Sequence, residues 1–222
     1  MTRKVFWENP YLTAHDTTVE SVLGQDLTVR STIFYAFSGG QESDAGTLQG
    51  HPVLLARKED LEIIYTLPPD HGLVPGQAVR MEIDWTRRYR LMRLHFAAEL
   101  VLELAGRTLE GIRKIGAHIA ETKARIDFAW PEPITPWLPR LEAEVRAMVA
   151  ADQAILSSFE DEASERRTWE LPGFARVPCG GTHLRRTGEV GGIRLKRNNI
   201  GGGKERVDIF LESADPGAHA DR

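Results

Sequence analysis

The feature that most constrains this chain is a pair of short motifs that lie far apart in the sequence. Cys179 and His183 are four residues apart in the stretch PCGGTH, and Cys179 is the only cysteine. His95 and Glu99 have the same spacing in a segment with helical periodicity. Positions i and i+4 of a helix lie on one face. The two pairs therefore predict a fold that joins them in a tetrahedral N/S/O metal site, which is the geometry that zinc prefers.

The composition indicates a globular protein and excludes several other classes. The 222 residues are 41% hydrophobic and 27% charged, which is an ordinary globular balance. A single cysteine excludes an internal disulfide framework and fits a reducing compartment. The N-terminus lacks the apolar run of a signal peptide, and no stretch approaches the ~20 apolar residues of a membrane span. These features predict a cytoplasmic protein without a membrane partner.

The charge is distributed unevenly along the chain. The formal net charge is −4, but basic residues cluster at 87–93 and again at 176–206. A local basic patch can bind phosphates even when the whole protein is acidic. The candidates for nucleic-acid contacts are Arg87, Arg88, Arg185, Arg194, Lys196, Arg197 and Lys204.

Hydrophobic periodicity divides the chain into a β-rich part and a mixed part. Strand patterns at 19–23, 27–37 and 77–84, with a hairpin at 52–67 around a turn at 57–60, predict a small β-barrel. A helix is predicted at 85–107, and a second one opens at Thr135-Pro136 and runs to about Ile155. Strands are predicted within 112–128 and as a hairpin at 190–197 and 205–211. Residues 157–169 are polar and expected to be exposed, and a disordered tail is expected from about 213.

Two glycine-rich stretches interrupt these elements, and each has two interpretations. In SGGQESDAG at 38–46, the glycines permit positive φ and close backbone approach to a ligand, or they form a surface turn. The stretch NNIGGGK at 198–204 lacks a Walker-type ending. It is either a mobile basic tip or an ordinary hairpin loop.

Three segments resemble the motifs of one family, in the family's order. The run FYAFSGGQESDAG at 34–46 resembles the FYxxSGGQxxDxG motif of alanyl-tRNA synthetase editing domains. The segment leading to His95 resembles the helix that carries their HxxxH motif, and CGGTHLRRTGEVG at 179–191 resembles their CGGTHxxxTGEIG block. Together the motifs cover nearly the whole chain. The arrangement is similar to that of the free-standing alanyl-tRNA editing proteins called AlaX, of the medium type.

The resemblance implies a trans-editing hydrolase and an α+β fold. Such an enzyme cleaves the ester that links a wrong amino acid, serine and in some members glycine, to alanine tRNA. A second hydrolytic site is needed because an alanine pocket rejects glycine and serine only weakly. The implied fold is a small β-barrel at 1–86, which carries the SGGQ motif, followed at 87–222 by an α/β sandwich with an antiparallel sheet.

The resemblance also implies roles for individual residues. By motif position, His95, Cys179 and His183 would be zinc ligands. The substrate-binding residues would be Gly39, Gly40, Gln41 and Thr182, of which Gln41 and Thr182 would also serve catalysis.

The chain departs from the family pattern at Glu99, where the family helix has its second histidine. Glu99 could replace that histidine as a ligand, since a carboxylate can bind zinc. It could instead act through a water, as a general base or an orienting partner. A third interpretation is a weakened or empty site.

Three functions remain open at this stage. The first is a zinc-dependent aminoacyl-tRNA deacylase, expected to be a cytoplasmic monomer that binds the acceptor end of mischarged alanine tRNA. The second is a non-catalytic tRNA-binding module on the same fold, which the change at Glu99 motivates. The third is a metal-dependent hydrolase of a small ester, which would leave the basic clusters unexplained.

Overall fold

The computed structural model describes residues 1–212 and has an α+β fold in which most strand pairs are antiparallel. The chain divides into two compact units. Unit 1 comprises Met1–Ser38 and Glu42–Tyr89, and unit 2 comprises Gly39–Gln41 and the chain from Arg90 onward. The division falls within the long helix α1 (Trp85–Thr108). The tail predicted from about 213 lies outside the described residues.

Unit 1 is built on one curled, seven-stranded sheet. Its strands, with the short pair β1 and β4, are β1 (Arg3–Lys4), β2 (Ala14–Leu23), β3 (Asp26–Val29), β4 (Ser31–Thr32), β5 (Gly46–Leu48), β6 (His51–Pro52), β7 (Leu55–Glu59), β8 (Glu62–Thr66) and β9 (Ala78–Ile83). The sheet order is β6-β5-β9-β2-β3-β8-β7, and β1 pairs with β4 in parallel. The sheet corresponds to the barrel that the sequence predicts, and its closure into a barrel stays a prediction.

Alternation of side chains explains how this sheet forms a core. In β9, Val79, Met81 and Ile83 are buried, while the residues between them are exposed. Successive side chains of a strand point to opposite faces, so one face of the sheet is apolar. The predicted hairpin is confirmed, but its turn lies at 60–61, where Asp60 has a φ of 49°. The strand predicted at 27–37 is shorter, since regular pairing ends at Thr32.

Unit 2 combines two helices with two antiparallel sheets. Its elements after α1 are β10 (Arg113–Ile119), β11 (Ala124–Ala129), α2 (Leu138–Ala150), β12 (Leu156–Asp161), β13 (Arg166–Leu171), β14 (Ala175–Pro178), β15 (Ile193–Asn199) and β16 (Lys204–Leu211). One sheet has the order β10-β11-β16-β15, and the other has the order β12-β13-β14. The strand pattern predicted within 112–128 is therefore confirmed, as is the hairpin predicted at 190–197 and 205–211.

Helix α1 begins where the sequence predicts and is buried over most of its length. The Asp84 carboxylate accepts the backbone N–H of Arg87 at 3.1 Å, which caps the first turn. Residues 91–98 are all buried, so the helix lies inside the protein and not on its surface. Among the described residues, no helix is long and apolar enough to cross a membrane.

Two predictions about unit 2 were wrong in detail. Helix α2 ends at Ala150, before the predicted Ile155, and Asp152 follows with a φ of 44°. The stretch at 157–169 is not simply exposed, because β13 carries a fully buried Trp169. The Trp169 ring packs edge-on against Phe96 of α1, with 5.2 Å between centroids. Most residues of β13 are polar, so the sequence has no apolar pattern there that would indicate a buried face.

Candidate active site

The loop after β14 carries Cys179 and His183. The backbone N–H of Cys179 donates to the carbonyl of Arg167 at 2.8 Å, which fixes the start of the loop against β13. Gly181 lies directly over the ring of His95. A Cβ at Gly181 would come within 2.1 Å of His95 Cε1, so only glycine fits without displacing the histidine. The CGGTH sequence therefore lets the loop pack closely against α1.

Helix α1 supplies the other two predicted residues from one face. His95 Nε2 and Glu99 Oε1 are 3.2 Å apart, as expected for an i, i+4 pair. The same His95 Nε2 lies 3.4 Å from Cys179 Sγ. One nitrogen of His95 therefore faces both the thiol and the carboxylate.

Three ligand atoms converge at this point. One nitrogen each from His95 and His183, with Cys179 Sγ, lie within 4.8 Å of one another. Among the described residues, Glu99 is not part of this compact group, although it contacts His95. The structure thus brings together three of the four predicted metal residues, and Glu99 lies beside His95 outside the compact group.

Both histidines are oriented through their second ring nitrogen. His95 Nδ1 lies 3.4 Å from the carbonyl oxygen of Thr182, and His183 Nδ1 lies 3.2 Å from Ser157 Oγ. This leaves each Nε2 for the cluster. Within residues 1–212, the buried Nε2 of His183 has no hydrogen-bond partner. An orphaned buried nitrogen beside a thiol fits a metal ion, because imidazole and thiolate are its preferred partners.

The electrostatics of the cluster also favour a cation. Burial would lower the pKa of His95, but Cys179 and Glu99 outweigh burial and raise it to about 10. Burial would likewise raise the pKa of Glu99, but His95 holds it below the ordinary value of a carboxyl. Burial and the charge of His95 lower the pKa of His183 well below its ordinary range, so its lone pair stays free. A positive charge is therefore stabilised where His95, Cys179 and Glu99 meet.

The glycine motif joins unit 2 through the edge of its larger sheet. The N–H of Ile119 in β10 donates to the carbonyl of Gly40 at 2.7 Å. Gln41 forms an isolated parallel β-bridge with the same Ile119. Gly40 has a φ of +89°, and a Cβ there would lie 2.6 Å from the Ala117 carbonyl oxygen. The close backbone approach at Gly40 is thus to the protein's own strand, and the approach of a ligand to these glycines stays a prediction.

Gln41 links this motif to the CGGTH loop. Gln41 is buried, and its Nε2 donates to Thr182 Oγ1 at 3.0 Å. Its Oε1 is also buried, and within the described part of the chain it has no partner. Thr182 itself is 1% exposed. The structure therefore joins two of the predicted catalytic residues in one hydrogen bond.

A pocket opens beside the cluster. Its polar wall includes His95, Glu99 and Lys114, and its apolar wall comes from α1 and the inner face of the sheet. The other lining residues are Gly39, Ala98, Leu102, Ala117, Ile119 and Ile126. A small apolar pocket with a few convergent polar groups is typical of a small-molecule site.

Two of the predicted nucleic-acid contacts, Arg88 and Arg197, pair with carboxylates of the protein, and the burial of Arg88 corrects its prediction. Arg88 is fully buried in unit 1, and its Nε donates to Asp44 Oδ1 at 2.7 Å. Arg197 forms a two-pronged pair with the buried carboxylate of Glu205. Arg88 therefore has no exposed surface for a phosphate. Arg197 keeps 26% of its side chain exposed, and its contact with nucleic acid stays a prediction. The sequence shows that these two residues are basic, but it does not show the carboxylates that pair with them in the folded chain.

The other candidates differ in exposure. Arg87 is mostly buried and pairs with Glu42 at 2.8 Å. The exposed residues of the predicted set are Arg185, Arg194, Lys196 and Lys204.

Sequence reasoning missed Ser157 and Lys114. Ser157 lies on β12, in a stretch expected to be only polar surface, and yet it contacts His183. Lys114 lies on β10 and lines the pocket. No motif marks either residue, because each reaches the site through strand pairing and not through local spacing.

Comparison with known proteins places the chain among tRNA-related proteins. Residues 171–208 match the family model described as the threonyl and alanyl tRNA synthetase second additional domain. The alanyl-tRNA editing protein AlaX-M of Pyrococcus horikoshii is 30% identical over 96% of this chain and 99% of the relative. AlaX-M of Methanosarcina barkeri is 29% identical over 95% of this chain and 99% of the relative. An alanine–tRNA ligase of Staphylothermus marinus is 32% identical over 97% of this chain but only 26% of the ligase.

Proposed function

Because this chain belongs to the AlaX-M family of alanyl-tRNA editing proteins, we propose that it hydrolyses wrongly acylated alanine tRNA. The observation that carries the proposal is the convergence of His95, Cys179 and His183 beside the Gln41–Thr182 pair. The family relationship alone would give only the class of protein. A clustered donor set next to a small pocket supports a reaction on a small acyl group.

The proposed reaction is ester hydrolysis. Water adds to the carbonyl carbon of the aminoacyl ester, and the bond from that carbon to the ribose oxygen breaks. The ribose oxygen takes up a proton, and the products are the free amino acid and uncharged tRNA. The reaction needs no further reactant.

We propose that His95, Cys179 and His183 hold a zinc ion. Imidazole nitrogen and thiolate sulfur are both ligands that bind zinc in proteins. When bound, zinc supplies Lewis-acid polarisation of the ester carbonyl. The protein's own contribution is to fix the two rings, through Thr182 and Ser157, so that their Nε2 atoms point to one place.

Gln41 and Thr182 are proposed to bind the aminoacyl group. Gln41 Oε1 is a buried acceptor without a partner among the described residues, so it can accept a hydrogen bond from the substrate's ammonium group. The hydrogen bond from Gln41 Nε2 to Thr182 Oγ1 fixes the orientation of the Gln41 amide and so the position of Gln41 Oε1. Gly39, which lines the pocket, and Gly40, which holds the loop on β10, would complete the substrate site. Serine is the proposed first substrate, with glycine as a second.

The separations around His95 support Glu99 as a fourth zinc ligand. Tetrahedral zinc, at about 2.0–2.3 Å from each donor, requires donors about 3.3–3.6 Å apart. The separation from His95 Nε2 to Cys179 Sγ is 3.4 Å, and to Glu99 Oε1 it is 3.2 Å. Glu99 thus lies close to the distance expected of a ligand next to His95.

The role of Glu99 is tested by three substitutions with zinc affinity as the readout. If Glu99 is a ligand, Glu99→Ala should weaken zinc binding by more than about 100-fold, which exceeds the usual effect of an outer partner. Glu99→His should stay within about tenfold of the unchanged protein, because imidazole is itself a zinc ligand. Competition with a chromogenic chelator measures each affinity. If Glu99→Ala and Glu99→Gln keep their zinc affinity but lose hydrolysis, Glu99 is instead a general base.

A second prediction concerns Ser157. Ser157→Ala is expected to weaken zinc binding by about 10- to 100-fold, because His183 loses the partner that orients its ring. The matched control is Ser158→Ala, since Ser158 is the next residue and bonds to Thr168 instead. Equal zinc affinities for the two variants would show that Ser157 does not orient His183.

The function itself is tested by amino-acid release. Purified protein is mixed with Ser-tRNA(Ala), Gly-tRNA(Ala) and Ala-tRNA(Ala), and the acid-stable acylated fraction is followed with time. The proposal predicts faster loss of the seryl ester than of the alanyl ester. If zinc-loaded protein hydrolyses neither mischarged tRNA but binds tRNA, the non-catalytic module is the better description.

A further inference from the structure

The four-stranded sheet of unit 2 has two faces of opposite character. The inner face carries apolar side chains such as Ile126, Val207 and Ile209, which are buried. The opposite face, here called the outer face, is formed by alternate residues of the same strands. Because successive side chains of a strand alternate, the register assigns each residue to one face. The outer-face residues are Arg113, Gly116, His118, Lys123, Arg125, Asp127, Ala129, Arg194, Lys196, Asn198, Lys204, Arg206, Asp208 and Phe210.

Cations dominate this outer face and lie in rows across the strands. Arg125 pairs in register with Asp208, and Asp208 pairs with Lys196, so the three side chains are neighbours. Arg194 lies opposite Phe210 in the next row. Adjacent strands are about 4.8 Å apart, and every second residue along a strand advances roughly 7 Å. The face therefore presents a regular array of positive charges.

Some of these cations are neutralised within the protein, and others are not. Arg206 is paired with Asp127, and Lys123 is paired with Asp208 at 2.9 Å. Arg194 and Lys196 are exposed, and in residues 1–212 neither forms an ion pair. Asp127 and Asp208 thus each already pair with one cation, which leaves a positive surplus on this face.

Phe210 helps to hold the array in place. The guanidinium of Arg194 lies over its ring at 5.1 Å, and Lys123 Nζ lies over the ring at 5.8 Å. Cation–π contacts of this kind attract a cation to the ring face. The ring therefore restrains Arg194 on the outer face and does not form an apolar centre, as a protein-binding interface would.

We propose that the outer face is the surface that docks the phosphate backbone of tRNA. This inference rests on the proposed function, since it names where that substrate is held. A periodic surplus of Arg and Lys with few apolar groups fits a polyanion, whose phosphates release counterions on binding. The pocket lies on the inner side of the same sheet, so the outer face holds the tRNA body and not the ester. This surface includes Arg125, which the sequence analysis did not select, and excludes Arg197, which lies on the inner face.

Binding of uncharged alanine tRNA tests the surface without any turnover. The test variant carries three substitutions on the outer face, Arg125→Gln, Arg194→Gln and Lys196→Gln. Its tRNA affinity should fall by roughly 10- to 100-fold, and the slope of log K against log salt should become shallower by about two units. Fluorescence anisotropy at several salt concentrations gives both quantities.

A control with the same change in net charge separates the surface from overall charge. It carries Arg30→Gln, Arg140→Gln and Arg166→Gln, all exposed side chains elsewhere. This control should keep its tRNA affinity within about threefold. If the first variant does not fold, the variant Arg194→Gln, Lys196→Gln and Lys204→Gln uses only exposed positions. Wild-type tRNA affinity and salt slope in a folded outer-face variant would overturn the proposal.

The outcome is distinguishable from failure of the proposed function. Hydrolysis of a serine methyl ester reports on the active site alone and should be unchanged by the outer-face substitutions. If the protein hydrolyses Ser-tRNA(Ala) but the variant binds tRNA normally, the surface is wrong and the function stands. If tRNA binding depends on the outer face but no ester is hydrolysed, the surface stands and the function is wrong.

Discussion

A Cys179→Ala variant is expected to lose stoichiometric zinc and to hydrolyse Ser-tRNA(Ala) at least about 100-fold more slowly. The thiol is the only sulfur donor in the cluster, and Cys179 Sγ lies 3.4 Å from His95 Nε2. Removing it takes away one of the three clustered donors and the only thiolate, so zinc should bind more weakly. Loss of the metal should also remove its contribution of several kcal/mol to transition-state stabilisation. Metal analysis after dialysis and an initial-rate assay check the two losses separately.

Thiol labelling gives this prediction a control in the unchanged protein. Because Cys179 is the only cysteine, any alkylation reports on this residue alone. A bound metal should protect the thiolate, and chelation should restore its reactivity. Full zinc content in the Cys179→Ala variant would contradict the assignment of Cys179 as a ligand. The same holds if the rate of thiol alkylation in the unchanged protein is equal with and without the chelator.

The second large effect concerns the stability of unit 1. Arg88 is completely buried and donates to acceptors of three residues. These are both carboxylate oxygens of Asp44, with Oδ1 at 2.7 Å, the Ile33 carbonyl at 2.6 Å and the Pro10 carbonyl at 2.9 Å. Asp44 in turn accepts the backbone N–H of Tyr35. Arg88→Leu removes the positive charge and leaves the Asp44 carboxylate buried without its partner. The free energy of unfolding should therefore fall by about 3–5 kcal/mol.

Urea denaturation measures this loss, with exposed Arg30 as the control. Arg30→Leu should change stability little, because Arg30 is 73% exposed and its contact with Glu20 is 3.8 Å long. Arg88→Lys should recover only part of the loss, since an ammonium cannot reproduce the fork of a guanidinium. Equal midpoints for Arg88→Leu and Arg30→Leu would show that the Arg88 network contributes nothing to folding.

Several elements could be predicted from local pattern because the relevant signal is local. Helix α1 follows from its periodic apolar residues and from Asp84 at its start. The hairpin of β15 and β16 follows from alternation on both sides of a glycine-rich turn. Where the signal was not local, prediction failed: β13 was missed because its buried face is defined by contact with Phe96, which is distant in sequence.

The candidate site divides in the same way. Cys179 with His183, and His95 with Glu99, could be selected because their chemistry is distinctive and their spacing is short. Ser157 could not be selected, because a serine in a polar stretch carries no signal until strand pairing brings it to His183. The unpartnered Nε2 of His183 is likewise a property of the folded chain alone.

The sequence by itself determined the two candidate pairs, His95 with Glu99 and Cys179 with His183, because distinctive metal-binding side chains recur there at a four-residue spacing. Only the tertiary structure decided which cations are available to a partner. Arg88 and Arg197 are as basic in the sequence as Arg194, but each forms an ion pair with a buried carboxylate. Arg88 pairs with Asp44 of a loop, and Arg197 pairs with Glu205 of the neighbouring strand. Ion pairing depends on the three-dimensional distance between charges, and the spacing of residues along the chain does not record that distance.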